Sequence, residues 1–232
     1  MRVHLQRDVE KLKRRILALS AEVESDVRAA VRAVEDRDEA LARAVIGRET
    51  QTNATEVDVE EECLKILALH QPVATDLRYI IAVLKINQDL ERMGDLAVHI
   101  AERGLSLCAQ PPVEMPLRLG EMADKAQAML KQVLDAFVNL NAAAARDVCA
   151  ADREIDDINR DIFRQAKVAI ARTPLQFDVW LQVIHIARHV ERIADHATNI
   201  AEDLIYLIEG RIVRHTPEVS AKLQPAVDVP QT

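Results

Sequence analysis

The chain has 232 residues, 49% of them hydrophobic but only 3% aromatic, with 5 glycines and a formal net charge of −8. That is enough chain to bury a real core in one large domain or two small ones, and a mixture rich in Ala, Leu, Glu, Arg and Val favours helices over sheets. The acidic balance makes the chain a poor match for nucleic-acid backbones, which need basic stripes, although a local basic patch is compatible with it.

A first helix is expected from about Leu5 to Glu35, where Val9, Leu12, Ile16, Leu19, Val23, Val27, Ala30 and Val34 recur every three or four residues. A second is expected from about Asp38 to His70, with an acid-crowded middle (Glu49, Glu56, Asp58, Glu60, Glu61, Glu62). Gln71-Pro72 ends it, because Pro disfavours helical geometry in the residue before it. The third runs from about Val73 to Leu107 with the stripe Val83, Ile86, Leu90, Met93, Ala97, Ile100. Pro111, Pro112 and Pro116 mark a joint. A fourth helix carries Met122, Ala126, Met129, Val133, Phe137 and Leu140, and a fifth carries Val148, Ala151, Ile155, Ile158 and Ile162 before Thr173-Pro174 breaks it. A sixth carries Val183, Ile186, Val190, Ile193, Ala197, Ile200 and Leu204, and stops at Gly210. The end of the chain, with Pro217, Pro225 and Pro230, has little periodicity and reads as a loose tail.

The second trio of helices repeats the first. At an offset of 100, Val83, Ile86, Glu91, Arg92, Asp95, Ala97, Ile100, Ala101 and Glu102 all meet their own kind, nine identities in twenty-two ungapped positions. Internal duplication is the economical reading. The expected fold is all-α: two tandem, internally repeated three-helix bundles, residues 1–110 and 111–210, followed by a C-terminal tail over 211–232.

No apolar run approaches the ~20 residues of a membrane span. The N-terminal stretch MRVHLQRDVEKLKRRILALS is basic but lacks the apolar core of a secretory signal. Cys63, Cys108 and Cys149 are far apart, odd in number and form no C-x-x-C pair, which argues against a disulfide framework or zinc knuckle and for free thiols in a reducing compartment. The expected location is the cytoplasm, with any action at a membrane through a partner.

Helical residues turn by about 100° per position, so Gln88, Glu91, Asp95, His99 and Glu102 share a face nearly opposite the apolar stripe of the third helix. Arg188, Glu191, Asp195, Asn199 and Glu202 do the same on the sixth. Carboxylates at i and i+4 stand ~6 Å apart and repel. A cation between them relieves that repulsion, and hard, oxygen-seeking metals accept such ligands, with imidazole added for iron or manganese. The fifth helix offers a matching pair, Asp152 and Asp156, and the corresponding positions of the second are Glu49 and Asn53. The metal candidates are therefore Glu49, Asn53, Glu91, Asp95, Asp152, Asp156, Glu191, Asp195 and Asn199, extended along the ridges by His99, Glu102 and Glu202. A plainer reading has Arg92 and Arg192 neutralising a solvated face. His185 and His189 are expected on other faces.

Asp76-Leu77-Arg78, Leu90-Glu91-Arg92-Met93-Gly94-Asp95, and the run from Val190-Glu191-Arg192-Ile193-Ala194-Asp195 to Glu202 resemble the PhoU family. The match covers nearly the whole chain, including the duplication, the Gln-Pro before the third helix and Gly210 after the sixth. The resemblance implies a six-helix protein whose acid-x-x-x-Asp motifs hold metal clusters of iron, zinc, manganese or magnesium. These motifs fall at Glu49 and Asn53, Glu91 and Asp95, Asp152 and Asp156, and Glu191 and Asp195. Asn53 departs from the acidic pattern, since an amide oxygen coordinates without charge. The resemblance further implies a negative regulator of phosphate uptake and phosphate-starvation signalling. Its partners would be the ATP-binding subunit of the Pst phosphate transporter, a PhoR-type sensor kinase, and a second copy of the chain in a homodimer.

No phosphate-cradling Gly-rich loop or nucleophile–base pair is present, so no catalytic step is expected. Two alternatives remain. One is a metal-free helical adaptor with the same acidic faces. The other is a carboxylate-bridged di-metal oxidase, which needs Glu-x-x-His elements. None of the seven histidines has a Glu three residues before it.

Overall fold

The computed structural model of the protein describes residues 2–111 and 118–211, with side chains from residue 4 onward. The helices are α1 (Arg2–Glu35), α2 (Glu39–His70), α3 (Ala74–Cys108), α4 (Arg118–Asn139), α5 (Ala142–Arg172) and α6 (Phe177–Glu209), with a single 3₁₀ turn at Pro174–Gln176. Pro112, Pro116 and the expected tail beyond Arg211 lie outside the described residues.

Local chemistry sets most boundaries within a residue or two of those expected, but α1 begins three residues earlier than expected, and Leu140, expected on the fourth helix's stripe, is exposed in the turn beyond its end. Asp38 caps α2 by accepting the Leu41 N–H at 2.9 Å, and Asn141 caps α5 by accepting from Ala143 and Ala144 at 3.1 Å each. These side chains satisfy donors that have no partner inside the helix. Helix α2 ends where Gln71 enters the left-handed region at φ 45° and Pro72 forbids continuation. Gly210, at φ 69°, closes α6 by donating its N–H to Tyr206 O at 2.9 Å. Only at a glycine is that conformation free of strain.

Short turns make consecutive helices antiparallel, so α1–α3 and α4–α6 form two three-helix bundles. The stripes read from the sequence are buried: Leu12, Ile16, Leu19 and Val23 of α1, Val83 to Ile100 of α3, and Val183 to Leu204 of α6. One contiguous core runs through both halves. It is continuous because α3 and α6 lie antiparallel against each other and α1 touches α4. Gly94 lets α3 come close to α2, since a Cβ there would stand 3.3 Å from Cγ2 of the buried Thr52.

The α3–α6 seam also carries polar pairs. Lys85 of α3 donates to Asp203 of α6 at 3.1 Å, and the Asp203 side chain is only 3% exposed. Burying a carboxylate requires such a counter-charge.

Candidate metal centre

Helices α5 and α6 run antiparallel from the Thr173-Pro174 break, which sets Asp152 opposite Asp195 and Asp156 opposite Glu191. The four carboxylates feel one another. Burial, then the negative charges of Asp195, Asp156 and Glu191, pushes the Asp152 carboxyl up to about 6, against a hydrogen bond from Thr198. Burial, Asp195 and Asp156 raise Glu191, opposed by hydrogen bonding to Asn159 and by Arg188. Burial and Asp156 raise Asp195, opposed by His196 and Arg192. Like charges in a partly desolvated groove disfavour ionisation, and Arg192 forms no ion pair with any of the four among the described residues.

The equivalent set between α2 and α3 is assembled differently. Burial and Asp95 raise the Glu91 carboxyl. Here, however, Arg92 lies 3.3 Å from Glu91 and 3.6 Å from Asp95, and neutralises the ridge within its own helix. Glu49 and Asn53 are both exposed. The side chain that does approach Glu91 from α2 is Glu56, raised by burial and by the charges of Glu60 and Glu91. The buried Asn87 fixes Glu56 in place, donating to its Oε1 at 2.8 Å and its main-chain O at 3.0 Å. The Asn87 Oδ1 is buried without a hydrogen-bond partner, and an open groove of about 400 Å³ lies alongside, between Glu56, Glu60 and Lys85.

Sequence reasoning missed Glu56. The signal was available in the helix caps. Asp38 and Asn141 are equivalent, so α2 and α5 align at an offset of 103 rather than 100. Glu49 then matches Asp152, Asn53 matches Asp156, and Glu56 matches Asn159. Each half has one amide on this face, one turn apart in the two copies. The charge lost at Asn53 reappears at Glu56, while Asn159 hydrogen-bonds to Glu191.

The ridge extensions separate from these sets. Asn199 reaches Asp89 across the α3–α6 seam at 3.4 Å, beside a 2.8 Å contact between His196 Nδ1 and the same carboxylate oxygen. Glu102 is exposed. Glu202 lies near Cys149, whose thiol is pushed up to about 11 by burial and then by Glu202. His99 stands against His189 with ring centroids 5.4 Å apart, and His185 lies 6.4 Å from His189. His99 thus shares a cluster with the two histidines expected on other faces. Spacing along one helix says nothing of its neighbour, and the antiparallel contact of α3 and α6 brings these faces together.

The donor chemistry of the α5–α6 set fits a hard cation: four carboxylates crowded together, with no ion pair from Arg192 as a direct counter-ion among the described residues. The α2–α3 set fits less well because Arg92 already supplies one. As they stand, no three His, Cys, Asp or Glu side chains among the described residues converge on a point. Coordination therefore requires the carboxylates to change rotamer.

The architecture defines a class: a duplicated six-helix bundle protein with an acidic face on each repeat. The family model described as "PhoU domain" matches residues 16–104 and again 119–204. A Pseudomonas aeruginosa "phosphate-specific transport system accessory protein PhoU homolog" is 37% identical over 211 residues, covering 90% of this chain and 86% of the relative. The Aquifex aeolicus protein of the same description is 34% identical over 91% of this chain and 96% of its own length. The crystal structure of PhoU from Pseudomonas aeruginosa superimposes with a TM-score of 0.86 at 36% identity, over 89% of this chain and 99% of that one. That of the phosphate transport system regulatory protein PhoU from Streptococcus pneumoniae gives 0.81 at 29% identity, over 90% and 99%. The chain belongs to the PhoU family.

Proposed function

We propose that the protein is an accessory regulator of phosphate-specific transport. It restrains phosphate uptake and keeps phosphate-starvation genes off when phosphate is plentiful. The observation that carries this reading is the doubled domain match over both halves, with relatives named for that transport system aligned along nearly their whole length. The protein works in the cytoplasm as a homodimer, through contacts with the ATP-binding subunit of the Pst transporter and with a PhoR-type sensor kinase. Among the described residues no helix is long and apolar enough to cross a membrane, so it reaches the membrane through these partners.

The α5–α6 carboxylates Asp152, Asp156, Glu191 and Asp195 hold metal in the second repeat. Glu49, Glu56, Glu91 and Asp95 do so in the first, with Glu56 standing in for Asn53. A bound divalent or trivalent ion supplies the positive charge that lets four carboxylates share one groove. The residues' own task is to draw α5 onto α6, and α2 onto α3, in a geometry the partners recognise. No step of this scheme is catalytic.

The test is deletion of the gene from its host, with phosphate uptake and a starvation-gene reporter measured in phosphate-rich medium. Derepressed reporter and unrestrained uptake, both reversed by the wild-type gene, are expected. A deletion strain indistinguishable from wild type in both assays contradicts the reading.

A further inference from the structure

The two ends of the α3–α6 seam are related by the 100-residue repeat but built from opposite chemistry. At one end Lys85 meets Asp203 at 3.1 Å, and Asp89 meets His196 at 2.8 Å and Asn199 at 3.4 Å. Each cationic or donating group there faces a carboxylate. At the other end the counterparts of Lys85, Asp89, Asn199 and Asp203 are His185, His189, His99 and Arg103. Both carboxylates have been replaced by nitrogen groups, an imidazole and a guanidinium.

The consequence is a shortage of acceptors. The rings of His99 and His185 lie 5.4 Å and 6.4 Å from that of His189. Arg103 reaches only the amide oxygen of Gln182, at 3.4 Å, and forms no ion pair among the described residues. The Arg103 Nε and both ring nitrogens of His189 are buried without a hydrogen-bond partner. A guanidinium Nε–H only donates, and a buried donor left unmade is costly. His99 is exposed, so the cluster opens to solvent.

We propose that His99, His185, His189 and Arg103 form a binding site for a free tetrahedral oxyanion at the junction of the two repeats; the choice of inorganic phosphate as that anion rests on the proposed role in phosphate transport. A transition metal is disfavoured there, because Arg103 repels a cation and the histidine nitrogens do not converge. A tetrahedral anion offers acceptors in several directions at once, which suits a guanidinium edge on α3 and imidazoles on both helices. Bound phosphate replaces the two carboxylates that the opposite end of the seam supplies from the chain itself. The site is separate from the acidic grooves and stands or falls independently of metal binding.

The full-length protein, stripped with chelator so that phosphate cannot bind through metal, is titrated with sodium phosphate at constant ionic strength. Calorimetry reports affinity, and histidine side-chain NMR reports location. Saturable binding that shifts the His99 and His189 resonances is expected. Arg103→Gln and the surface change His99→Gln should each weaken it roughly tenfold or more, as loss of a charge-assisted bond to an anion does, while Arg43→Gln on the exposed face of α2 leaves it unchanged. No saturable binding to the wild type, or binding that both variants retain, overturns the proposal. A transition metal held by the three histidines that phosphate cannot displace also overturns it.

Discussion

Asp152 shows how a single side chain links stability to binding. Its folded carboxyl, pushed up to about 6 by burial and by Asp195, Asp156 and Glu191, is harder to ionise than in the unfolded chain. The folded metal-free protein therefore holds this proton at pH values where the unfolded chain has released it. The stability this group contributes is full in acid and is lost as pH rises through about 6. Asp152→Asn keeps the shape and removes the charge. It should raise the melting temperature of metal-free protein at pH 7 to 8 and flatten its pH dependence, measured by thermal denaturation across pH. A variant that melts lower than wild type at pH 8 would show that Asp152 is stabilised rather than strained. Seven of the eight motif positions found in the sequence are acidic, and the second-repeat four do face one another. What the sequence hid was the partner of each ridge, because contacts such as Asn87 with Glu56 depend on how two helices align, not on spacing within one.

At the scale of helices, the boundaries were legible because capping is local chemistry. Asp38, Gln71-Pro72, Thr173-Pro174 and Gly210 all mark an end where the residue type demands one. Gln71 is the imperfect member of this set, being a non-glycine residue at φ 45°. Gln71→Gly removes that strain at some cost in chain entropy, and should stabilise the protein by up to about 1 kcal/mol in denaturant titrations. The seam was not legible from one helix at a time. Lys85 and Asp203 lie 118 residues apart and no spacing links them, yet the Asp203 side chain is 3% exposed. Lys85→Met should destabilise the fold by about 2–3 kcal/mol, somewhat below the usual loss for a fully buried pair because Lys85 is partly solvated. A change within 0.5 kcal/mol would mean that Asp203 is satisfied without its cation, about the scatter of an ordinary surface substitution.

In the whole molecule, duplication places two similar bundles back to back through α3 and α6, so the copies have been free to diverge in charge while keeping one core. Arg92 pairs directly with Glu91 and Asp95 of its own ridge, whereas Arg192 forms no such ion pair among the described residues and acts on Asp195 only through its charge, although both occupy the same place in Glu-Arg-x-x-Asp. The fold class follows from hydrophobic period and the repeat from residue identities at a fixed offset, which is why they could be read without coordinates. The division of labour between the copies could not, since it depends on where each arginine turns. On the proposed function, the second repeat is the one expected to hold metal more tightly. The direct measurement is elemental analysis of untagged protein purified without chelator, beside two variants. One carries Asp152→Asn, Asp156→Asn, Glu191→Gln and Asp195→Asn; the other carries Glu49→Gln, Glu56→Gln, Glu91→Gln and Asp95→Asn. Metal in the wild type, lost chiefly from the second-repeat variant while helical circular dichroism persists in both, is the predicted result. A wild type that carries no metal and takes none up on titration, or a second-repeat variant that keeps its full complement, would contradict it.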